Sequence, residues 1–173
     1  EFRRVLFRSG FLESGKSSFI QDTLLEQGFG EDEKTLIIAC EEGEVAFDIP
    51  ALEKENASVE FIENEEDLNY ETLLHLHQKY QPTQVMIEYN GMWDPALILG
   101  SEKPRGWQVY QSITLVDANS FGLQWANMKS IIAESVKYAD MVIFNRCKSG
   151  MDLGSYRRSM RALNPALQII FED

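Results

Sequence analysis

A glycine-rich octapeptide near the amino terminus constrains this chain more than any other feature. Gly10-Phe11-Leu12-Glu13-Ser14-Gly15-Lys16-Ser17 fits the pattern G-x-x-x-x-G-K-[ST] at every fixed position, and Ser18 follows it. In such a loop the glycines let successive backbone N–H groups face phosphate oxygens, and a following helix adds the positive end of its dipole. Lys16 would reach the β- and γ-phosphates, and the Ser17 hydroxyl would bind magnesium. The pattern predicts a phosphate-binding loop for a purine nucleoside triphosphate with Mg²⁺; an incidental match or a disabled loop is the alternative.

Glu13 is the unusual residue of this loop. A carboxylate there should repel a nucleotide unless it points outward or meets a cation. We therefore predict weaker nucleotide affinity than a glycine at this position would give.

The rest of the chain alternates short β-rich runs with helical stretches. Three of the runs are almost continuously apolar, as is typical of strands covered on both faces. The predicted strands are Thr35–Cys40, Val59–Ile62, Gln84–Glu88, Gln111–Asp117, Met141–Asn145 and Leu167–Phe171. The predicted helices are Lys16–Gln27, Asp67–Tyr80, Asn127–Tyr138 and Asp152–Leu163. Strand alternating with helix predicts an α/β, three-layer P-loop NTPase fold around a mostly parallel sheet.

Two further segments place carboxylates directly after predicted strands. Glu88 ends one strand and is followed by Gly91, which would let the backbone approach a γ-phosphate. Glu41 and Asp48 follow another strand. Carboxylates at strand ends beside a phosphate loop can hold the magnesium shell or orient an attacking water. We predict Lys16, Glu88 and Glu41 as catalytic residues, with Ser17, Glu88, Glu41 and Asp48 around the metal; solvated turns are the alternative for both segments.

Charge excludes some classes of partner. Net charge is −12, and residues 41–71 hold twelve carboxylates and one base, which accounts for −11 of it. Such a chain should not bind nucleic acid or an anionic membrane through bulk electrostatics. No apolar run approaches the roughly 20 residues of a membrane helix. The two cysteines, Cys40 and Cys147, predict no disulfide framework, which favours a cytoplasmic location.

The first nine residues are unlike the rest. Glu1–Ser9 reads Glu-Phe-Arg-Arg-Val-Leu-Phe-Arg-Ser, which resembles the translation of a sequencing-library adapter. We interpret residues 1–9 as a non-native segment that takes the place of a truncated first strand, and residues 10–173 as the nucleotide-binding domain. A genuine basic amino terminus is the alternative.

Three stretches together resemble the CobW-type GTPases, relatives of the UreG and HypB metallochaperone GTPases. The loop from Gly10 to Ser18 resembles that family's G-F-L-G-x-G-K-T-T. Residues 41–48 resemble its E-F-G-E-V-G-I-D segment, and residues 87–95 resemble its I-E-x-x-G-x-x-D-P segment. The resemblance implies a GTPase domain with a seven-stranded, mostly parallel sheet and a metallochaperone or metal-homeostasis role with docking to a metalloenzyme client. We expect its GTPase turnover to be low. The resemblance also implies a C-terminal accessory domain, which we expect to lie outside residues 10–173.

Two departures from the family pattern qualify that expectation. The family's C-x-C-C metal motif has no counterpart between the segment at 41–48 and the strand ending at Glu88, so zinc–thiolate coordination is not expected there. The family's N-K-x-D base motif is Asn145-Arg146-Cys147-Lys148 here. Asn145 matches and the Arg146 stem can stack on the base, but a protonated Lys148 accepts no hydrogen bond from guanine.

We therefore predict GTP as the nucleotide, with ATP as the alternative and reduced discrimination between the two. The competing function is a nucleotide-binding regulatory or scaffold module with weak turnover, which Glu13 and Lys148 favour. A small-molecule kinase is a third possibility, although no acceptor site is recognisable in the sequence.

Overall fold

The computed structural model describes residues 3–10, for which it gives the backbone, and residues 32–40 and 47–173. The predicted helix Lys16–Gln27 lies outside these residues. Within them no helix is both long and apolar enough to cross a membrane.

A single seven-stranded sheet forms the centre of the described part of the chain. Its strands are β1 (Arg3–Gly10), β2 (Thr35–Ala39), β3 (Ala57–Phe61), β4 (Gln84–Glu88), β5 (Trp107–Asp117), β6 (Met141–Asn145) and β7 (Gln168–Phe171). Their order is β3-β2-β4-β1-β5-β6-β7, and each neighbouring pair is parallel. The predicted α/β fold with a mostly parallel sheet is confirmed. Because parallel strands end at a common edge, the carboxyl ends of all seven converge there.

Five helices of the described residues lie between the strands. They are α1 (Ile49–Lys54), α2 (Tyr70–Tyr80), α3 (Ala96–Leu99), α4 (Phe121–Lys137) and α5 (Leu153–Leu163). Neither α1 nor α3 was predicted, and both are short. Asp48 Oδ1 accepts from Ala51 N at 3.2 Å and so caps α1, while Asp94 Oδ1 accepts from Ala96 N at 3.0 Å at the start of α3. Each cap satisfies an otherwise unpaired helical N–H.

The other helices differ from the predictions mainly at their first residues. We predicted that α2 starts at Asp67. Glu65–Asp67 instead form a separate 3₁₀ turn, and α2 begins after its N-terminal cap, Asn69. Helix α4 begins at Phe121, six residues before the predicted Asn127. It is kinked at Met128, where φ is −133° and ψ is 32°. Asn127 Nδ2 donates to Leu123 O at 2.8 Å, and a side chain inserted into the helical ladder is a known cause of such a kink.

Alternating strand residues enter different hydrophobic clusters, which shows that both sheet faces are covered. On β2, Leu36 and Ile38 join one cluster, whereas Ile37 packs with Leu52 of α1 on the opposite side. The same alternation separates Val116 and Val142 from Leu115 and Ile143. Side chains of successive strand residues point to opposite faces, so these clusters lie above and below one sheet. The result is a three-layer core that leaves the carboxyl edge for a binding site.

Candidate functional site

Glu88 is the most deeply buried carboxylate of the described residues. It ends β4 with an exposed fraction of 0%. Its backbone carbonyl accepts from Cys40 N at 2.8 Å, which ties the ends of β4 and β2 together. A carboxylate is rarely placed out of water unless it is paired or binds a cation. Glu88 thus lies at the end of its strand, as the sequence predicted, and it is buried at the carboxyl edge of the sheet.

The β1 register relates Glu88 to the glycine-rich loop. Arg8 of β1 lies opposite Glu88, and Gly10, the first residue of the loop, ends β1 two residues later. With a rise of about 3.3 Å per residue and a strand spacing of about 4.8 Å, the Cα atoms of Gly10 and Glu88 lie about 8 Å apart. Strand β1 therefore ends beside Glu88, at the first residue of the loop. Glu13, Ser14, Gly15, Lys16, Ser17, Ser18 and Glu41 lie outside the described residues, and their assignments stay predictions.

The segment after Glu88 is a compact turn that is fixed by its own side chains. Tyr89 is fully buried, and its hydroxyl donates to Asp94 O at 2.5 Å. Burial raises the pKa of Tyr89 well above its ordinary value of 10.0, so the phenol stays protonated as a donor. Asn90 Oδ1 accepts from Met92 N at 2.9 Å. Gly91, predicted to approach a γ-phosphate, is buried within this turn.

Polar side chains at the ends of β5 and β6 form a cluster around Arg146. Asp117 and Asn145 are paired in the strand register. Asp117 Oδ2 accepts from Arg146 Nη1 at 2.9 Å, and Asp117 Oδ1 accepts from Asn119 N at 2.8 Å and from Asn119 Nδ2 at 3.2 Å. Arg146 has a left-handed φ of 57°, and its carbonyl accepts from Asn119 Nδ2 at 3.2 Å. Two residues from the predicted base motif thus stand at the carboxyl edge, with the Arg146 guanidinium directed to Asp117.

Lys148 follows in an exposed loop that leads to α5. Its backbone N–H points to Met151 Sδ at 3.4 Å, and Gly150 has a φ of 90° that a residue with a side chain rarely adopts. Asp152 Oδ1 caps α5 by accepting from Ser155 N at 3.0 Å. The loop therefore presents an exposed cation where the family pattern has an acceptor.

The remaining predicted metal residue, Asp48, is exposed and caps α1. Among the described residues no group of three or more His, Cys, Asp or Glu side chains is arranged to hold a metal ion. The predicted magnesium shell combines Glu88 with Ser17 and Glu41, which lie outside that part of the chain. Oxygen donors such as the Glu88 carboxylate suit Mg²⁺, which binds one or two carboxylates and otherwise keeps water and phosphate oxygens.

Comparison with known proteins decides the family. A family model described as CobW/HypB/UreG, nucleotide-binding domain, matches residues 4–171. The chain belongs to the CobW/HypB/UreG family. The resemblance seen in the three sequence segments is confirmed, and the described site lies in this family's nucleotide-binding domain. No curated protein matches the chain.

Solved structures of CobW/HypB/UreG-like proteins share the fold. The Zn(II)-bound YjiA GTPase from E. coli superposes with a TM-score of 0.74 and 23% identity over 98% of this chain and 57% of its own. The hydrogenase maturation factor HypB from Archaeoglobus fulgidus gives 0.63 and 15% over 96% and 81%. HypB from Helicobacter pylori in complex with nickel gives 0.58 and 14% over 96% and 78%. The chain thus spans just over half the length of YjiA, and at these identities the likeness shows the fold alone.

Sequence reasoning missed two contacts, one at the site and one at the other edge of the sheet. It left Asp117 without a role, although a carboxylate at the end of an apolar strand is the same signal that singled out Glu88. It also gave no role to His77. Trp107 Nε1 donates to His77 Nδ1 at 3.1 Å, which joins α2 to β5 at the opposite edge of the sheet. Nothing local to His77 predicted that pairing, because the two residues are 30 positions apart in the chain.

Proposed function

We propose that this domain binds and slowly hydrolyses GTP with Mg²⁺, and that it acts as a nucleotide-dependent switch in metal handling. One observation carries the proposal: Glu88 is fully buried at the carboxyl end of β4, beside the strand that leads into the glycine-rich loop. A carboxylate at a strand end beside a phosphate loop can hold the magnesium shell or orient the attacking water. A magnesium-bound triphosphate in that loop would bring Glu88 into that role.

Each residue of the proposed site has a separate task. The backbone of Gly10, Ser14 and Gly15, with the side chains of Lys16 and Ser18, would hold the phosphates, while Glu13 lowers their affinity. Ser17 and Glu88, with Glu41 and Asp48, would hold Mg²⁺ directly or through water. When bound, the ion neutralises charge on the transferring phosphoryl group. Glu88 or Glu41 would orient the attacking water, and the buried Gly91 turn would lie beside the γ-phosphate.

Base recognition is proposed at the ends of β5 and β6. Asn145 lies at the end of β6, and the Arg146 stem would stack on the purine while its guanidinium stays on Asp117. The exposed Lys148 donates but does not accept, so it cannot bind the N–H groups of guanine. This observation favours ATP as a competing nucleotide. It also favours the second candidate function, a regulatory or scaffold module with weak turnover.

The family likeness supports a role in metal handling. The YjiA GTPase has bound Zn(II), HypB from Helicobacter pylori is in complex with nickel, and HypB from Archaeoglobus fulgidus is a hydrogenase maturation factor. By analogy the domain would bind a metalloenzyme client in the cytoplasm and change its affinity for that client with the nucleotide state. It would bind neither nucleic acid nor membrane, in keeping with the charge of −12.

Single-turnover hydrolysis of GTP and of ATP by the full-length protein tests the proposal, with zinc or cobalt added in parallel reactions. Lys16→Ala should abolish nucleotide binding. Glu88→Gln keeps the shape of the side chain but removes its charge, and it should slow hydrolysis at least about 100-fold if Glu88 orients water or metal. Glu102→Gln, in an exposed loop, is the matched control. Nucleotide binding without measurable hydrolysis would support the scaffold alternative, and wild-type hydrolysis by Glu88→Gln would refute the assignment of Glu88.

A further inference from the structure

A cleft of about 280 Å³ opens between the turn after β4 and the second half of α4. Residues 92–95 form one wall, and Ser130, Ile131 and Glu134 form the other. The three α4 residues share one helix face, because side chains three or four positions apart are neighbours on a helix. The kink at Met128 separates this face from the first half of α4. We call this feature the 92–134 cleft.

The walls of the 92–134 cleft combine the exposed side chain of Met92 with that of Trp93, which is fixed by packing on a buried ring. Met92 is 59% exposed, so its side chain is accessible to a partner. Trp93 packs edge to face on the buried Tyr89 ring, with centroids 5.8 Å apart. Pro95 is buried and Ile131 is half-buried. Met adapts its shape to a partner, and a rigid aromatic ring supplies contact area at little entropic cost, so both suit a binding surface.

The charge of the 92–134 cleft is negative. Asp94 and Glu134 are both exposed lining residues, and the seven lining residues in the described part of the chain include no cation. The two lysines on this half of α4 lie over other rings: Lys129 Nζ is 5.0 Å from the Trp125 centroid, and Lys137 Nζ is 5.6 Å from the Tyr138 centroid. A lining that combines apolar side chains with two carboxylates complements an apolar group that carries a neighbouring positive charge.

The volume limits what can bind. Pockets for cofactors and drug-sized molecules measure roughly 300–1,000 Å³, so a cleft of about 280 Å³ lies just below that range. One or two protein side chains fill such a space. Interfaces between proteins commonly depend on a few anchors of this kind, with charges at the rim.

We propose that the 92–134 cleft docks a segment of a partner protein in which a large apolar side chain stands beside a lysine or arginine. The apolar side chain enters between Met92, Trp93 and Ile131, and the cation lies between Asp94 and Glu134. This inference gives the client proposed above a surface and a chemistry, and to that extent it rests on the proposed function.

The position of the cleft links docking to the nucleotide site. All four residues of its first wall lie within seven positions of Glu88, in the turn that Tyr89 fixes through its hydrogen bond to Asp94. A nucleotide that changes this turn would change the affinity for the segment. By linkage, the segment would change nucleotide affinity by the same factor.

Selection of random linear peptides displayed on phage, against the full-length protein without nucleotide, tests the docking. Peptides with an apolar residue beside Lys or Arg should be enriched. A synthetic peptide of the selected sequence should bind Met92→Ser and Glu134→Lys at least about fivefold more weakly than wild type, as expected for an anchor contact and for reversal of a rim charge. Glu53→Lys makes the same charge change on the exposed surface of α1 and should bind like wild type.

Repeating the selection on Glu134→Lys supplies a second readout, since the enriched peptides should exchange their basic residue for an acidic one. Enrichment without a basic preference, equal binding to wild type and both variants, or no enriched peptide would overturn the proposal. Nucleotide affinity of Glu134→Lys separates the two hypotheses, because this substitution lies on α4, outside the turn at 89–95, and should leave nucleotide binding like that of wild type. Peptide binding by a protein that binds no nucleotide would refute the proposed function and leave the docking surface standing.

Discussion

The Asp117–Arg146 pair offers a perturbation whose size follows from the structure. Asp117→Ala removes one ion pair, with Arg146 Nη1 at 2.9 Å, and two hydrogen bonds from Asn119, at 2.8 and 3.2 Å. Arg146 is held in a left-handed backbone conformation that costs about 1–2 kcal/mol for a residue with a side chain. The contacts with Asp117 and Asn119 offset that cost, because they fix both the guanidinium and the carbonyl of Arg146.

The solvent exposure of the two side chains determines how much the ion pair contributes to the free energy of unfolding. The side chain of Asp117 is 17% exposed and that of Arg146 is 41% exposed, so solvent screens the pair substantially. We assign the pair about 1 kcal/mol, the upper end for a partly exposed ion pair. The two bonds from Asn119 add about 1 kcal/mol together, since a net hydrogen bond in water contributes about 0.5–1.5 kcal/mol. Asp117→Ala should therefore lower the free energy of unfolding by about 2 kcal/mol, and lower Tm by about 4–8 °C for a domain of this size.

A double-mutant cycle separates the ion pair from the rest. Urea unfolding of wild type, Asp117→Ala, Arg146→Ala and the double variant should give a coupling energy of about 1 kcal/mol that decreases at high salt. Arg161→Ala, which removes an exposed guanidinium from α5, should change stability by less than about 0.5 kcal/mol. Additivity of the Asp117 and Arg146 variants within about 0.3 kcal/mol would refute the reasoning.

Three further predictions concern single side chains. Folding raises the pKa of Tyr89 above 10.0, so the stability that its neutral phenol contributes is fully present below pH 10.0 and is lost as the pH rises above that value. Tyr89→Phe should weaken this loss of stability at alkaline pH, as measured by urea unfolding across that pH range. An unchanged pH dependence of stability in the variant would contradict the prediction. Lys148→Asp should raise the preference for GTP over ATP at least about tenfold in competition binding, because a carboxylate can accept from guanine; an unchanged ratio would contradict it. Glu13→Gly should tighten nucleotide binding in the same assay, and unchanged or weaker binding would rule out the proposed repulsion.

The sequence predicted the central strands well, because burial on both faces requires uninterrupted apolar residues. Gln84–Glu88 and Met141–Asn145 have the predicted bounds. Strand β5 was predicted from Gln111 but begins at Trp107. Its first half is largely exposed, with Tyr110 at 66%, so the apolar signal there is weak.

Short helices escaped prediction because their stability comes from caps rather than from periodicity. Asp48 was interpreted as part of a metal site and Asp94 as part of a family motif. The structure adds that Asp48 caps α1 and that Asp94 accepts from a backbone N–H at the start of α3. One carboxylate can serve both purposes, so the cap leaves the metal assignment of Asp48 a prediction.

The candidate site was predictable to the extent that a strand end fixes a residue's position. Glu88 could be placed because it follows an apolar strand, and parallel topology brings that strand beside β1. The partner of Arg146 could not be placed, because Asp117 is 29 positions away and the pairing depends on the register of β5 against β6. The 92–134 cleft likewise depends on how a turn faces a kinked helix.

A structure of the full-length protein with Mg²⁺ and a non-hydrolysable GTP analogue tests the central assignment most directly. We expect the metal about 2.1 Å from Ser17 Oγ and within about 5 Å of a Glu88 carboxylate oxygen, either bound directly or bridged by one water. A Glu88 carboxylate more than about 10 Å from the metal, or a triphosphate bound away from residues 10–18, would contradict it.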